Sequence, residues 1–161
     1  MFNIVLVEPE IPQNTGNIVR TCAATHTKLH LIRPLGFEVT DKYLKRAGLD
    51  YWKTADISYY DSFEELQTKY RQDKFWYLST KGQKIYSEVK LNDGCFLVFG
   101  KETKGLPEEL LHNNYNNCIR IPMYQDLRSL NLSNSVAIVL YEALRQSDFV
   151  GLETIGHLTK Y

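Results

Sequence analysis

The sequence contains few cysteines, no long apolar run and no excess of charge of either sign. Its three cysteines, Cys22, Cys95 and Cys118, stand singly, and without a Cys-x-x-Cys pair neither a zinc site nor a disulfide framework is favoured. Single thiols in apolar runs are typical of buried cysteines in a reducing compartment. Because no apolar segment approaches the length of a membrane span and no leader-like segment opens the chain, we expect a cytoplasmic protein.

The charges balance, with 19 basic and 19 acidic side chains and an isoelectric point near 6.9. Proteins that wrap nucleic acid are usually basic, so composition argues mildly against nucleic acid, and any RNA would have to be bound by a local patch. With 161 residues, 43% of them apolar, the chain can bury a core of its own. We therefore expect a single domain over residues 1–161.

Several common kinds of site are not indicated. The four histidines are scattered, with no carboxylate or serine at motif spacing, so neither a metal site nor a hydrolase triad is favoured. Gly100 and Gly105 frame a Gly-x-x-x-x-Gly pattern, but Leu106 and Pro107 replace the Lys and Ser/Thr of a phosphate loop. These glycines can let the backbone approach a flat ligand closely, or they can simply connect a strand to a helix.

Short apolar runs alternate with helix-like segments along most of the chain. Runs of this kind are typical of strands buried on both faces of a sheet. They predict about six strands, at residues 2–7, 29–32, 57–60, 75–78, 95–99 and 118–121. Helices are predicted at residues 14–25, 41–48, 62–70, 107–111 and 132–146. This alternation predicts an α/β domain with a mostly parallel sheet covered by helices on both faces.

The last predicted helix is apolar nearly all round. Its main stripe runs through Leu132, Val136, Leu140 and Leu144, and the opposite face still carries Tyr141. Such a helix is either wrapped by its own domain or docked against another chain. Tyr141 can accordingly be a dimer contact, an RNA contact or an interior tyrosine.

Three strand ends lead into loops rich in Gly, Ser, Thr and Asn. Ligands of parallel sheets bind beyond the carboxyl ends of the strands, so residues 78–80, 100–105 and 121–131 are expected to face one pocket. The third loop and the helix after it contain Ser129, Asn131, Ser133 and Asn134, which is more than one helix cap needs. We interpret this junction as a binding site.

Two further segments have alternative interpretations. The predicted helix start at Asn14 can bind an anion, with Arg20 two turns further on, or Asn14 or Asn17 can simply cap the helix. A basic and aromatic cluster follows, whose members suit unstacked RNA bases and their phosphates. It consists of Lys42, Tyr43, Lys45, Arg46, Tyr51, Trp52 and Lys53. An ordinary amphipathic surface helix explains the same residues.

Five motifs occur together in order, and together they are specific. They are Asn14-x-Gly16-Asn17-x-x-Arg20, Arg46-Ala47-Gly48-Leu49-Asp50-Tyr51, Phe99-Gly100-x-Glu102-Thr103-x-Gly105-Leu106-Pro107, Ile119-Arg120-Ile121-Pro122-Met123 and Arg128-Ser129-Leu130-Asn131-Leu132-Ser133-Asn134. Over residues 1–148 the chain resembles the SPOUT-class tRNA ribose methyltransferases of the TrmL/YibK group. These enzymes methylate the 2′-hydroxyl of tRNA wobble position 34.

The resemblance implies a fold and a set of site residues. It implies an α/β domain with a C-terminal trefoil knot over roughly residues 75–148, binding of S-adenosylmethionine in the knot, no metal, and a homodimer that shares its active sites between chains. The implied cofactor residues are Leu78, Ser79, Thr80, Gly100, Glu102, Ile121, Ser129 and Leu130. The implied catalytic residues are Arg20, Asn14, Ser129 and Asn131, and the implied tRNA-binding residues are Arg20, Lys45, Arg46 and Tyr141.

Arg20 is a poor candidate for a general base. It matches the arginine proposed in relatives to activate the hydroxyl, but a guanidinium stays protonated in proteins. We therefore expect Arg20 to hold the adjacent phosphate and polarise the hydroxyl. Two alternatives stay open: 2′-O-methylation of another tRNA or rRNA position, and a non-catalytic RNA-binding module. The target nucleoside can be cytidine or a modified uridine.

Overall fold

The computed structural model describes residues 1–39 and 49–160 of the chain. The helix predicted from residue 41 and the predicted tRNA-binding residues Lys45 and Arg46 lie outside these described residues.

Strands and helices alternate along most of the described chain, as the sequence pattern predicts, although the fourth, fifth and sixth strands follow one another without a helix between them. The strands are β1 (Asn3–Val7), β2 (Lys28–Ile32), β3 (Ile57–Tyr60), β4 (Phe75–Leu78), β5 (Lys84–Ile85), β6 (Phe96–Phe99) and β7 (Cys118–Arg120). The α-helices are α1 (Pro12–Thr25), α2 (Phe63–Lys69), α3 (Glu108–Asn113) and α4 (Leu132–Gln146), and short 3₁₀ helices span Leu49–Lys53 and Tyr115–Asn117.

The strands form one seven-stranded sheet in the order β3-β2-β1-β6-β4-β7-β5. Each strand pair in the described residues is parallel; Ile4 of β1, for example, pairs with Leu29 of β2 and with Leu97 of β6. The predicted α/β class is confirmed. Because β6, β4 and β7 are adjacent, the three loops that follow them begin side by side at one edge of the sheet.

Helices cover both faces of the sheet. Successive side chains of a strand point to opposite faces, so Ile4 and Leu6 of β1 join one core cluster while Val5 and Val7 join the other. The first cluster packs under α1 and α4, and the second packs under α2 and α3. The predicted two-sided burial of the sheet is therefore confirmed.

The structure corrects several predicted element bounds. Helix α1 begins at Pro12, which occupies the first helical turn where proline costs no hydrogen bond, so neither Asn14 nor Asn17 is its N-cap. Strand β5 has two residues, too few to produce an alternating pattern, and the sequence pattern missed it. Helix α4 begins and ends as predicted.

The cysteines are buried, as predicted from their apolar surroundings. All three are free thiols, and burial raises the pKa of Cys22 and Cys95 to about 12. At neutral pH these thiols are therefore protonated, which is the unreactive form.

His30 is fully buried in β2 within a closed hydrogen-bond network. Its Nε2 lies 3.0 Å from Asn3 Oδ1 and its Nδ1 lies 3.2 Å from the Tyr60 hydroxyl. The Asn3 amide donates to the Gly94 carbonyl at 3.0 Å, so its oxygen faces His30 and accepts from a protonated Nε2. Burial, with help from the Lys28 charge, lowers the pKa of His30 to about 4.

In the part of the chain that the structure describes, every helix is too short or too polar to cross a bilayer. Within the same residues, His, Cys, Asp and Glu side chains form no cluster of three arranged to bind a metal ion.

Candidate active site

A cavity of about 610 Å³ lies at the carboxyl ends of β4, β6 and β7. The loops that follow these strands, at residues 78–80, 100–105 and 121–131, form its walls together with the start of α1. The prediction that these three loops face one pocket is confirmed. Every residue predicted to bind the cofactor lines this cavity, namely Leu78, Ser79, Thr80, Gly100, Glu102, Ile121, Ser129 and Leu130.

The loop after β6 is a tight turn that requires glycine at both of its ends. The Gly105 N–H donates to the Lys101 carbonyl at 2.8 Å, and Gly105 has a φ of +69°, a conformation that other residues rarely adopt. A Cβ on Gly100 would lie 2.0 Å from the carbonyl carbon of Gly105. Glycine at both positions therefore allows the two ends of the turn to pack closely against each other at the cavity wall.

Glu102, in this turn, holds the N-terminus of α1. Its carboxylate accepts hydrogen bonds from the backbone N–H of Glu10 at 2.8 Å, from the N–H of Ile11 at 3.2 Å and from the Asn14 amide at 3.0 Å. A helix N-terminus favours negative charge because its N–H groups and dipole point outward. The anion-binding position predicted at this helix start is thus filled by the protein's own carboxylate.

Asn14 and Asn131 extend this contact to the last helix. Asn14 is 6% exposed, and its amide oxygen accepts from the Asn131 amide at 2.9 Å. The Asn131 oxygen in turn accepts from the backbone N–H and the hydroxyl of Ser133, at 2.9 and 2.7 Å, and caps α4. We call Glu102, Asn14 and Asn131 the polar clamp. It ties together the loop after β6, the start of α1 and the start of α4.

The polar clamp sets the orientation of two predicted catalytic residues. The Asn14 side chain uses its oxygen and one amide hydrogen within the clamp. The Asn131 amide donates to Asn14, while the Asn131 oxygen accepts from the backbone N–H groups of Ser133 and Asn134 at the start of α4. Ser129 lies beside them on the exposed cavity wall. The structure therefore brings together Asn14, Ser129 and Asn131, as expected of groups that act at one site.

Cations surround the cavity, and two of them are neutralised by carboxylates. Lys101 lies 2.5 Å from Glu8, which raises the pKa of Lys101, and Lys81 lies 2.7 Å from Glu108, which lowers the pKa of Glu108. Within residues 1–39 and 49–160, Lys104 and Arg128 form no ion pair. Positive charge is consequently available at the cavity mouth for an anionic ligand.

Arg20 and Tyr141 lie apart from this cavity. Arg20 is exposed on α1, with its guanidinium 5.1 Å from the ring centre of Tyr51, and it is not among the residues lining the cavity. Tyr141 is 48% exposed on α4, next to Ile138 at 37%. Within one chain Tyr141 is thus not an interior residue. Of the predicted catalytic residues, Asn14, Ser129 and Asn131 line the cavity and Arg20 does not.

Sequence reasoning missed the polar clamp. Glu102 and Asn14 are 88 residues apart, and no local pattern links them. Met123 and Arg128 also line the cavity, and both lie in the loop at residues 121–131 that was predicted to face it.

Residues 1–141 match the SpoU rRNA Methylase family, and the chain belongs to this family. A Listeria innocua protein named provisionally as a tRNA (cytidine(34)-2′-O)-methyltransferase is 58% identical over 153 residues, which cover 93% of this chain and 90% of that protein. The tRNA (cytidine(34)-2′-O)-methyltransferase of Saccharophagus degradans is 51% identical over 152 residues, with 94% and 99% covered.

A solved structure described as "Structural insights into the 2-OH methylation of C/U34 on tRNA" has the same fold. It superposes with a TM-score of 0.87 at 44% identity, covering 92% of this chain and 97% of that one. The match extends over almost the whole of both chains, so the cavity, α1 and α4 all lie within the shared fold.

Proposed function

We propose that this protein transfers a methyl group from S-adenosylmethionine to the 2′-hydroxyl of the ribose at position 34 of tRNA. The observation that carries the proposal is the single cavity in which all the predicted cofactor loops meet the clamp residues Asn14 and Asn131. The names of the relatives that match nearly the full chain support the same reaction. The base at position 34 is cytidine or a modified uridine.

The cavity fits this cofactor in size and chemistry. Pockets of about 300–1,000 Å³ are typical for small ligands, and this one measures about 610 Å³. The apolar side chains of Leu78, Ile121 and Leu130 suit the faces of an adenine. When bound, S-adenosylmethionine supplies an electrophilic methyl group on a sulfonium and leaves as the neutral thioether.

The connection of the loops is proposed to be a trefoil knot within residues 75–148, in a domain that spans residues 1–161. The strand order supports this, because β7 lies between β4 and β5, which both precede it in the chain, so the last strand is inserted between earlier segments. The three loops would then be held against one another by threading as well as by hydrogen bonds.

The active site is proposed to combine the cavity of one chain with Arg20 of a second copy. Arg20 is exposed and does not line its own cavity, and it lies on α1, which packs beside α4. The exposed stripe of α4, the helix that packs beside α1, includes Ile138 and Arg145 and is proposed to join this interface. In an isologous dimer residue i of one chain contacts residue j of the other, so an interface that contains both Arg20 and the cavity mouth would bring each Arg20 to the cavity of the other subunit.

Positioning supplies much of the proposed rate enhancement. Asn14, Ser129 and Asn131 would hold the ribose with its 2′-hydroxyl directed towards the bound cofactor, and the hydroxyl proton would pass to solvent. Arg20 stays protonated, holds the neighbouring phosphate and polarises the hydroxyl. Tyr141, Lys45 and Arg46 are proposed to contact the tRNA.

Methyl transfer from labelled S-adenosylmethionine to tRNA, followed by mass spectrometry of nuclease digests, tests the proposal. A 2′-O-methyl group at position 34 is the expected product. A methyl group at another tRNA or rRNA position would establish the alternative substrate. Calorimetry adds a second readout, because an RNA-binding module without catalysis would bind tRNA and not S-adenosylmethionine.

A further inference from the structure

The third cavity loop contains an exposed turn at residues 124–127. The Leu127 N–H donates to the Tyr124 carbonyl at 3.2 Å and closes the turn. Met123 precedes the turn and Arg128 follows it, and both line the cavity. The turn is therefore flanked on both sides by residues of the cavity wall, and residues 124–127 themselves are exposed.

The side chains of this turn are unusually exposed for their type. Tyr124 is 87% exposed and Leu127 is 59% exposed. An aromatic ring normally buries most of its surface, so a ring left open beside a ligand cavity is available to a ligand. Tyrosine faces stack on nucleobases irrespective of sequence.

The surroundings favour RNA over a protein partner as the ligand of this ring. Arg128 adjoins the turn, and within residues 1–39 and 49–160 it forms no ion pair, whereas the buried centres of protein interfaces are depleted of charged residues. A cation next to an exposed aromatic ring is the combination that binds unstacked bases and their phosphates.

The proposed reaction also places RNA at this position. For a ribose 2′-hydroxyl to reach the cavity, its own base and the adjoining phosphate must lie at the cavity mouth. We propose that Tyr124 stacks on a base of the tRNA anticodon loop, at or next to the methylated nucleotide, and that Arg128 contacts a backbone phosphate there. This inference rests on the proposed function and adds a residue that binds the substrate base.

Two substitutions separate stacking from apolar contact. Tyr124→Phe keeps the aromatic face, whereas Tyr124→Leu keeps apolar bulk and removes the face. With an anticodon stem–loop RNA as substrate, we expect Tyr124→Leu to raise KM by about 5- to 150-fold, the range for loss of one stacked base. Tyr124→Phe should stay close to wild type. Gln125→Ala, in the same turn, is the matched control and should leave KM unchanged.

A direct readout of stacking comes from Tyr124→Trp. Its added indole fluorescence, measured as the difference from the wild-type protein, should be quenched when the stem–loop RNA is added and not when S-adenosylmethionine alone is added. Calorimetry with S-adenosylmethionine and sedimentation of each variant show whether the cavity and the assembly are intact.

The outcomes are distinguishable. If the wild-type protein methylates no RNA, the proposed function and this inference both fail. If the wild type is active and Tyr124→Leu has an unchanged KM, this inference alone is overturned. Equal losses in Tyr124→Leu and Gln125→Ala would assign the effect to the turn's backbone and overturn it as well. A change in oligomeric state or in S-adenosylmethionine affinity in Tyr124→Leu would assign the ring to protein contacts instead and also overturn it.

Discussion

The two halves of α1 serve the site in different ways. At its start, Asn14 is buried and is oriented by Glu102 and Asn131 through hydrogen bonds of 3.0 and 2.9 Å. Two turns later, Arg20 is exposed, and its contact in the described chain is the ring of Tyr51 at 5.1 Å. Asn14 thus lines the cavity of its own chain, whereas Arg20, which is proposed to act on the substrate, faces outward. This difference supports a site completed by a second subunit.

The largest expected effect comes from removing the outward-facing cation. Arg20→Ala should lower kcat by about 10²–10³-fold, since it removes a charged donor from the transition state. S-adenosylmethionine affinity and the free energy of unfolding should stay near wild type, because Arg20 is exposed and lies outside the cavity. Steady-state kinetics, calorimetry and urea unfolding measure the three quantities.

Arg20→Lys provides the matched control for charge. Lysine keeps the positive charge but lacks the planar guanidinium with its parallel N–H donors, so we expect partial activity. Loss of S-adenosylmethionine affinity together with activity in Arg20→Ala would contradict the separation between the two halves of α1.

A second large effect is expected at the exposed stripe of α4. Ile138→Asp places a charge on the exposed stripe of α4, where Ile138 is 37% exposed, and should convert a dimer to monomers in sedimentation and abolish activity. The folded chain should persist, because this position is already solvent-accessible in a single subunit. Val150→Asp, at a residue that is 83% exposed, is the matched control and should sediment as wild type. Unchanged sedimentation of Ile138→Asp would remove α4 from the interface.

An intermediate effect is expected in the polar clamp. Glu102→Gln keeps the shape of the side chain but removes the charge that accepts from Glu10, Ile11 and Asn14. The free energy of unfolding should fall by about 1–3 kcal/mol, as for buried donors that lose a charged acceptor. S-adenosylmethionine should also bind more weakly, since the cavity wall moves with the clamp.

Urea unfolding and calorimetry measure both consequences of Glu102→Gln. Thr103→Ala, in the same turn, removes a hydroxyl that donates to the half-buried Glu10 and serves as control. If Glu102→Gln and Thr103→Ala lowered the free energy of unfolding and the S-adenosylmethionine affinity equally, the clamp would not be what holds the cavity wall in place.

The smallest effect on activity is expected at His30, in a closed network away from the cavity. Its pKa of about 4 lies below the ordinary value of 6.5, because burial disfavours the charged form. Above pH 6.5 neutral His30 contributes fully to the free energy of unfolding. As the pH falls through 6.5 towards 4, the free energy of unfolding decreases by up to about 3 kcal/mol, because only the unfolded chain binds the proton readily.

Urea unfolding of wild type and His30→Leu across this pH range measures the difference in slope. The variant should lack this part of the pH dependence while kcat at neutral pH stays near wild type. Equal pH slopes in the two proteins would contradict the assignment of a neutral His30.

Local sequence patterns predicted most of the secondary structure. Strands such as β1 and β6 are continuous apolar runs, and α4 has a strong helical stripe, so these elements could be placed from the sequence. The predicted start of α1 was wrong. Asn14 is a residue type preferred at N-caps, but Pro12 and the distant carboxylate of Glu102 determine where the helix begins.

The candidate site could be predicted only to the level of its loops. Parallel strand ends identify where a ligand binds, so the three cavity loops were found without a side-chain fingerprint. The contacts within the site depend on residues far apart in sequence, as with Asn14 and Asn131, which are 117 residues apart. The exposure of Arg20 and Tyr124 likewise follows from packing and not from local pattern.

Subunit complementation tests the shared active site most directly. Arg20→Ala leaves the cavity intact, and Ser129→Trp, which fills the cavity, leaves Arg20 intact. In a co-purified heterodimer of these two inactive variants, a site shared between subunits restores one complete site of two, and methylation of tRNA position 34 should recover to about half of the wild-type rate. A heterodimer as inactive as either parent, with sedimentation confirming the dimer, would show that Arg20 does not act across the interface.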